Sequence, residues 1–211
     1  IYRTDTDEQA GLLMRARPAV LLTSDWSRHA LNLSAEAEWG AYTNNPRENY
    51  FDTGLRAAGR IDIRRGLHIE TGLGFVHLHE ARGSVDGDGG SEPTQFNRWT
   101  AQAGVAARTG RFHHWLGGTY QRDDFSDGSA IGGGTLNQDD RDQQSWTAQA
   151  RVSYEATPGT RVFVAGRYGL SDFGAATDDD GFNRDTRKQD IVVGIDLDLG
   201  GITILNVAAG W

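Results

Sequence analysis

The stretch Phe51-Asp52-Thr53-Gly54-Leu55-Arg56-Ala57-Ala58-Gly59-Arg60-Ile61-Asp62-Ile63 decides the fold. Its odd positions, Phe51, Thr53, Leu55, Ala57, Gly59, Ile61 and Ile63, form a largely apolar series, while Asp52, Arg56, Arg60 and Asp62 put charge on the even ones. Side chains of an extended chain alternate between two faces, so this period of two reads as a strand with one oily side and one wet side. The pattern recurs upstream, where Leu31, Leu33, Ala35, Ala37, Trp39 and Ala41 alternate with Asn32, Ser34, Glu36, Glu38 and Gly40. It returns in Ile69 to Phe75, Trp99 to Ala107 and Trp146 to Tyr154, and in Ile191, Val193, Ile195, Leu197 and Leu199 against Asp190, Gly194, Asp196 and Asp198. About ten strands follow, near 12–22, 30–43, 50–64, 67–80, 97–108, 112–122, 145–156, 161–170, 188–199 and 202–211, with no amphipathic helix of normal length between them.

Many of these strands are longer than the usual five or six residues of a soluble sheet and are long enough to cross a bilayer at a tilt. Composition permits this. The 211 residues carry 21 basic against 29 acidic side chains, a formal charge of −8, no cysteine, 28 glycines and 4 prolines. Disulfides and cysteine-ligated metals are excluded, and the acidic balance argues against a nucleic-acid partner. A mean hydropathy of −0.55 and the lack of an apolar run of about 18 residues exclude a membrane helix. Neither excludes a membrane barrel, in which half of every strand faces water.

The connections alternate in length. Short turns fall at Asp25 to Arg28, Arg65-Gly66, Thr109 to Arg111, Thr157 to Thr160 and Gly200-Gly201, and longer glycine-rich, acidic stretches at Asn44 to Asn49, Ala81 to Phe96, Asp123 to Gln144 and Ser171 to Arg187. Short turns at one rim and long loops at the other are the habit of bacterial outer-membrane barrels, with the short side periplasmic. A hairpin repeat is also visible: Trp99-Thr100-Ala101-Gln102-Ala103 recurs as Trp146-Thr147-Ala148-Gln149-Ala150. Two long strands and one long loop per unit suit a barrel better than a propeller blade of four short strands.

On the apolar parity Trp39, Phe75, Trp99, Tyr120, Trp146 and Tyr168 lie about 8 to 11 residues from the nearest short turn, a climb of about 25 Å for tilted strands. They are expected to form an upper aromatic girdle, with Phe112 and Tyr154 beginning a lower one. With short turns on the periplasmic side, the first strand starts, and the tenth ends, at the extracellular rim. Outer-membrane barrels ordinarily start and finish in the periplasm, so at least one further strand is expected before Ile1 and after Trp211, in a barrel of twelve or more strands. The expectation is one domain over 1–211, truncated at both ends; no signal peptide is visible, so either it was removed or the chain is a piece of something longer.

Several stretches resemble a known family: Ile1-Tyr2-Arg3-Thr4-Asp5, Tyr50-Phe51-Asp52 leading into Gly59-Arg60-Ile61-Asp62, the hairpin through Tyr154, Thr157-Pro158-Gly159-Thr160 and Val162-Phe163, and Gly181-Phe182-Asn183-Arg184-Asp185. They look like the outer-membrane β-barrel porins associated with bacterial exopolysaccharide export. The resemblance implies an outer-membrane location and a part in passing or anchoring secreted polysaccharide. Implied partners are outer-membrane lipid and lipopolysaccharide, polysaccharide and periplasmic export components.

The expected pore-lining set is Arg15, Arg17, Glu36, Glu38, Arg56, Arg60, Asp62, Glu70, Arg98, Arg108, Arg151, Glu155, Arg161, Arg167 and Asp196. Arginine's planar fork grips carboxylates in a bidentate fashion and stays charged. The set could guide anionic sugars, but Asp52, Asp190 and Asp198 share its parity, and internal ion pairing that stiffens the wall carries more weight. His77 and His79 share a face pointing to the outer rim, with no third metal ligand nearby, and His113 and His114 point to opposite faces. The acidic runs Asp86-Gly87-Asp88-Gly89-Gly90 and Asp178-Asp179-Asp180-Gly181 do not match a calcium loop. Gly132-Gly133-Gly134 lies inside a loop and cannot cradle phosphate as a strand-to-helix turn would. Ser34 and Ser153 lie on the wet parity without an evident histidine beside them, so no catalytic group, cofactor or metal is expected. The expected function is a pore-forming barrel, with a non-conducting scaffold whose loops bind polysaccharide or partner proteins as the alternative.

Overall fold

The computed structural model describes residues 11–80, 90–178, 180–200 and 203–211. The expected positions Ile1 to Asp5, Asp86 to Gly89, Asp179 and Gly201 lie outside the described residues. In chain order the strands are β1 (Leu13–Ala16), β2 (Ala19–Thr23), β3 (Ala30–Tyr42), β4 (Tyr50–Arg64), β5 (Leu67–His79), β6 (Gln95–Thr109), β7 (Phe112–Phe125), β8 (Gly128–Ser129), β9 (Thr135–Leu136), β10 (Gln143–Thr157), β11 (Thr160–Phe173), β12 (Thr186–Leu199) and β13 (Thr203–Gly210). Single 3-10 turns stand at Pro46–Glu48 and Asp139–Arg141. The main sheet runs β1-β3-β4-β5-β6-β7-β10-β11-β12-β13, with β2 also on β3, so each long strand pairs with the next along the chain. All its pairings are antiparallel, which makes it an up-and-down meander. Among the described residues no pairing joins β13 to β1 or β2, so the sheet is open.

The first expected strand is split at Arg17 and Pro18. Proline has no N–H to give to the ladder and is tolerated on an edge strand. Its carbonyl still accepts from Ala37 N at 3.1 Å. Ala16 faces Trp39 and Ala19 faces Glu36, so the register passes through the interruption unshifted. The turns β4–β5, β6–β7, β10–β11 and β12–β13 each set one glycine in the left-handed region, Gly66, Gly110, Gly159 and Gly200 at φ of 76°, 60°, 80° and 75°. A side chain there would strain the backbone. These four turns and the β2–β3 connection share one end of the sheet. The chain enters β1 at the opposite, long-loop end, beside Tyr42, and β13 runs back toward that end.

Strands extend further toward the long loops than the apolar alternation indicated. β6 begins at Gln95, β7 continues to Phe125, β10 begins at Gln143 and β11 reaches Phe173. About 14 residues at about 3.3 Å each and a tilt of about 40° span roughly 35 Å, more than an apolar band of about 25 Å. The surplus projects beyond the band, where the outward face also meets water. That is why Asn97, Arg122, Asp124, Gln144 and Asp172 occupy outward positions there without breaking the fold. The loop between β7 and β10, expected to be irregular, carries the β8–β9 hairpin and a 3-10 turn.

A soluble sheet would bury its apolar face. Here, among the described residues, the large apolar side chains that are buried are Tyr50, Phe96 and Phe163, whereas Leu55, Leu73, Leu116 and Val193 are 53%, 65%, 63% and 53% exposed. Cross-strand pairing makes the outward series continuous: Leu55 faces Phe75, Phe75 faces Trp99, Leu116 faces Val105 and Ala150, and Val164 faces Val152 and Val193. Monomers in water rarely leave an apolar surface of that extent uncovered. Hydrocarbon is the solvent that suits it.

Candidate functional site

All fifteen charged positions expected to line a pore sit on the face opposite this apolar one. Register fixes the strand positions: Arg15 faces Gly40, Arg56 faces Ser34, Arg60 faces Glu70, Arg98 faces Asp123, Arg108 faces His113, Arg151 faces Trp115, and Arg161 faces both Glu155 and Asp196. Arg17, in the break before Pro18, reaches the same face through Glu38.

Nearly every member is paired. Glu38 accepts from Arg17 and from Tyr50 Oη at 2.6 Å, with Arg15 at 3.4 Å. Arg56 holds Glu36 at 2.7 Å and Arg167 holds Asp190 at 2.7 Å. Arg60 turns along its own strand to Asp62 at 2.9 Å, leaving Glu70 to His68 at 3.1 Å. Arg108 reaches Glu155 at 3.0 Å, and Arg151 reaches Asp196 at 2.6 Å with Arg161 at 3.8 Å. Arg151 also lies 3.6 Å over the ring of Phe163.

Asp123 sits at the centre of the tightest cluster. Arg98 gives it Nε at 2.6 Å and Nη2 at 2.9 Å, and Gln121 and Gln143 add side-chain N–H groups at 3.0 Å. The sequence reading placed Asp123 and Gln143 in a loop and missed the cluster. Next to it the long-loop end is packed. Phe96 and Phe125 stack at 5.1 Å, Arg141 lies 4.0 Å over Phe125 and binds Glu80 at 2.6 Å, and Ser91 N donates to Ser129 O at 2.7 Å. Asp142 in that loop accepts from Phe125 N at 2.7 Å, and burial pushes its carboxyl above the ordinary range. In the last long loop Asp178 accepts from Phe182 N at 2.8 Å, Asp180 N at 3.1 Å and Arg184 Nε at 2.8 Å. The Phe182 amide first, then Arg184, hold its carboxyl below the ordinary range.

Two sequence expectations are corrected. His77 does point outward, to Asn97 at 2.9 Å, but His79 turns back over β4, binding Asp52 at 2.8 Å and stacking on Tyr50 at 3.8 Å. Pairing of β5 with β4 ends at His77, although β5 stays paired with β6 to its last residue, and the His79 N–H is taken by the Asp52 carboxylate at 3.0 Å. Ser153 does have a histidine neighbour, since the β7–β10 register sets His113 directly opposite. His113 Nε2, however, faces Glu155 at 3.4 Å, and Ser153 Oγ accepts from Arg151 Nε at 3.3 Å. No Ser153–His113 hydrogen bond occurs among the described residues, and a serine taking a bond from a cation is not activated as a nucleophile.

On the outward face Phe75 and Trp99 meet at 5.5 Å, Tyr120 and Trp146 at 5.3 Å, and, near the short turns, Phe112 and Tyr154 at 5.1 Å. Trp39 and Tyr168 stand on the same face, opposite Phe51 and Ala148. At the short-turn end of the charged face a concavity of about 800 Å³ includes His113, Trp115 and several arginines; a second, of about 270 Å³, continues along the wall past Trp115, Arg151 and Arg167.

A protein-family model described as "Putative beta-barrel porin 2" matches residues 1–211. A search of curated proteins finds no match. Among solved structures, the chain titled "Copper transporter OprC" is similar at 14% identity with a TM-score of 0.59, over 95% of this chain and 36% of that one. The chain thus spans about a third of that barrel's length, and the likeness concerns the fold.

Proposed function

Because the chain belongs to the family described as Putative beta-barrel porin 2, we propose that it is wall of an outer-membrane pore whose charged face meets water and whose apolar face meets lipid. The single observation that carries this is the inversion of burial. Leucines and valines stand exposed along one face, and the opposite face is laced with arginine–carboxylate pairs. The cargo is polar, with exopolysaccharide as the leading class. The fifteen charged residues from Arg15 to Asp196 are the proposed pore lining, and the six aromatics from Trp39 to Tyr168 the proposed girdle. Chemistry in such a wall is passage, with no bond made or broken.

A scaffold reading has one observation in its favour, the packing of the long-loop cluster around Glu80, Phe96, Phe125 and Arg141. Planar-bilayer recording separates the two. A stable open current supports the conduit. A protein that inserts into lipid and carries no current supports the scaffold.

A further inference from the structure

The two ends of the charged face differ in sign. At the long-loop end acidic residues such as Asp127, Asp139, Asp140, Asp178 and Asp185 outnumber basic ones, whereas the short turns bring Arg28, Arg64, Arg65 and Arg111 to the other mouth. Within the 800 Å³ concavity at that mouth, Arg60 is taken by Asp62, and Arg151 and Arg161 share Asp196. Three guanidinium groups of the lining are left over. Arg28 donates only to the carbonyl of Asp62, at 3.2 Å, and Arg64 and Arg65 meet no carboxylate among the described residues. A concave site with surplus planar cations focuses potential and favours oxyanions.

The same site offers a flat apolar surface. The indole of Trp115 packs over Gly104 and Gly117, where an added Cβ would come within 3.1 Å and 2.7 Å of the ring. Trp115 lines both this concavity and the 270 Å³ one beyond it, with Arg151 beside it in each. A guanidinium for a carboxylate next to an indole face for a ring's C–H surface is a pairing that suits an acidic sugar more than a bare anion or a neutral glycan.

We propose that the short-turn mouth is a binding site for carboxylate-bearing saccharide chains, with Arg28, Arg64 and Arg65 gathering the acid groups and Trp115 seating a sugar ring. This rests on the charged face being a water-filled wall, and it adds the class of cargo and the end at which cargo is captured.

The test uses the full chain folded in detergent micelles and in planar bilayers. Hexagalacturonate is the probe, with maltohexaose and inorganic tripolyphosphate as comparators. Hexagalacturonate is expected to quench tryptophan fluorescence in micelles and to reduce the bilayer current from one side only. The Arg64→Gln/Arg65→Gln double variant, confined to an exposed turn, should weaken both effects at least about tenfold, as loss of charge-assisted contacts implies. Replacing Trp115 with Phe should remove most of the quenching. A current that hexagalacturonate leaves untouched, with no quenching, would overturn the site and leave the pore standing. Equal effects of maltohexaose or tripolyphosphate would also overturn it. Arginine-dependent quenching without any current would sustain the site and defeat the pore.

Discussion

Replacing Asp123 with asparagine tests how the charged face is held. The Asp123 side chain is fully buried and accepts Arg98 Nε at 2.6 Å and Nη2 at 2.9 Å. Gln121 Nε2 adds contacts at 3.2 Å and 3.0 Å, and Gln143 Nε2 one at 3.0 Å. Asparagine has nearly the same shape but exchanges one acceptor for an amide donor. That donor must meet donors from arginine or glutamine, and Arg98 loses its counter-charge. Arg98 is 38% exposed and stays partly hydrated, so the cost falls below that of a fully buried pair, at about 1.5 to 3 kcal/mol for the lost charge-assisted hydrogen bonds. Asp190→Asn is the control: its pair with Arg167, at 2.7 Å, is 37% and 59% exposed, so its loss should cost about 1 kcal/mol or less. Urea unfolding from phospholipid vesicles, followed by tryptophan fluorescence, measures both, provided the urea slope is unchanged. If Asp123→Asn costs no more than Asp190→Asn, burial does not govern these pairs and the reasoning fails.

Leu116→Lys places a charge on the apolar face of β7 and should cost about 2 to 4 kcal/mol if that site is near the bilayer centre, against little for Thr119→Lys on the opposite face; folding yields in vesicles compare them, and equal losses would contradict the face assignment. Gly40→Ala would push a methyl into the Tyr50 ring, breaking its bond to Glu38 and its stack on His79, with a loss of about 1 to 3 kcal/mol expected; an unchanged urea midpoint would show that Tyr50 is free to move. For Asp178 the folded carboxyl is depressed, so its contribution to loop order is present above the ordinary value of about 3.9 and fades as pH falls through the folded value. The amide resonances of Asp180 and Phe182 should therefore titrate below about 3.9, and a midpoint at or above it would remove the Phe182 and Arg184 contacts as the cause.

The strands between Ala30 and Leu199 were legible because lipid on one side and water on the other leave a period of two in the residues. Beyond the apolar band that signal stops. At Gln95, Arg122 to Asp124 and Gln143 both faces carry polar side chains, so alternation cannot mark the strand end, and Asp123 reads as loop although it is fully buried. Pro18 is a local veto on hydrogen bonding that hydropathy does not register. The pairing of Ser153 with His113 depends on register across the β7–β10 connection, which is fixed by how 17 residues of loop fold, and no local pattern states it. The ion pairs were foreseeable as a class from shared parity. Their partners were not, since Arg60 prefers Asp62 on its own strand to Glu70 opposite.

The absence of cysteine from the chain allows the two faces of the wall to be read one residue at a time. Single cysteines at positions 51 to 63 would be probed in vesicles, first with a lipid-quenchable fluorophore against brominated acyl chains and then with a charged, water-soluble thiol reagent. Quenching at Phe51, Leu55, Ala57, Gly59 and Ile61, alternating with aqueous labelling at Asp52, Arg56, Ala58, Arg60 and Asp62, is the predicted result. Loss of that alternation, with the odd positions shielded from both lipid and reagent, would mean that the apolar face packs against protein and that this sheet is not the wall of a membrane pore.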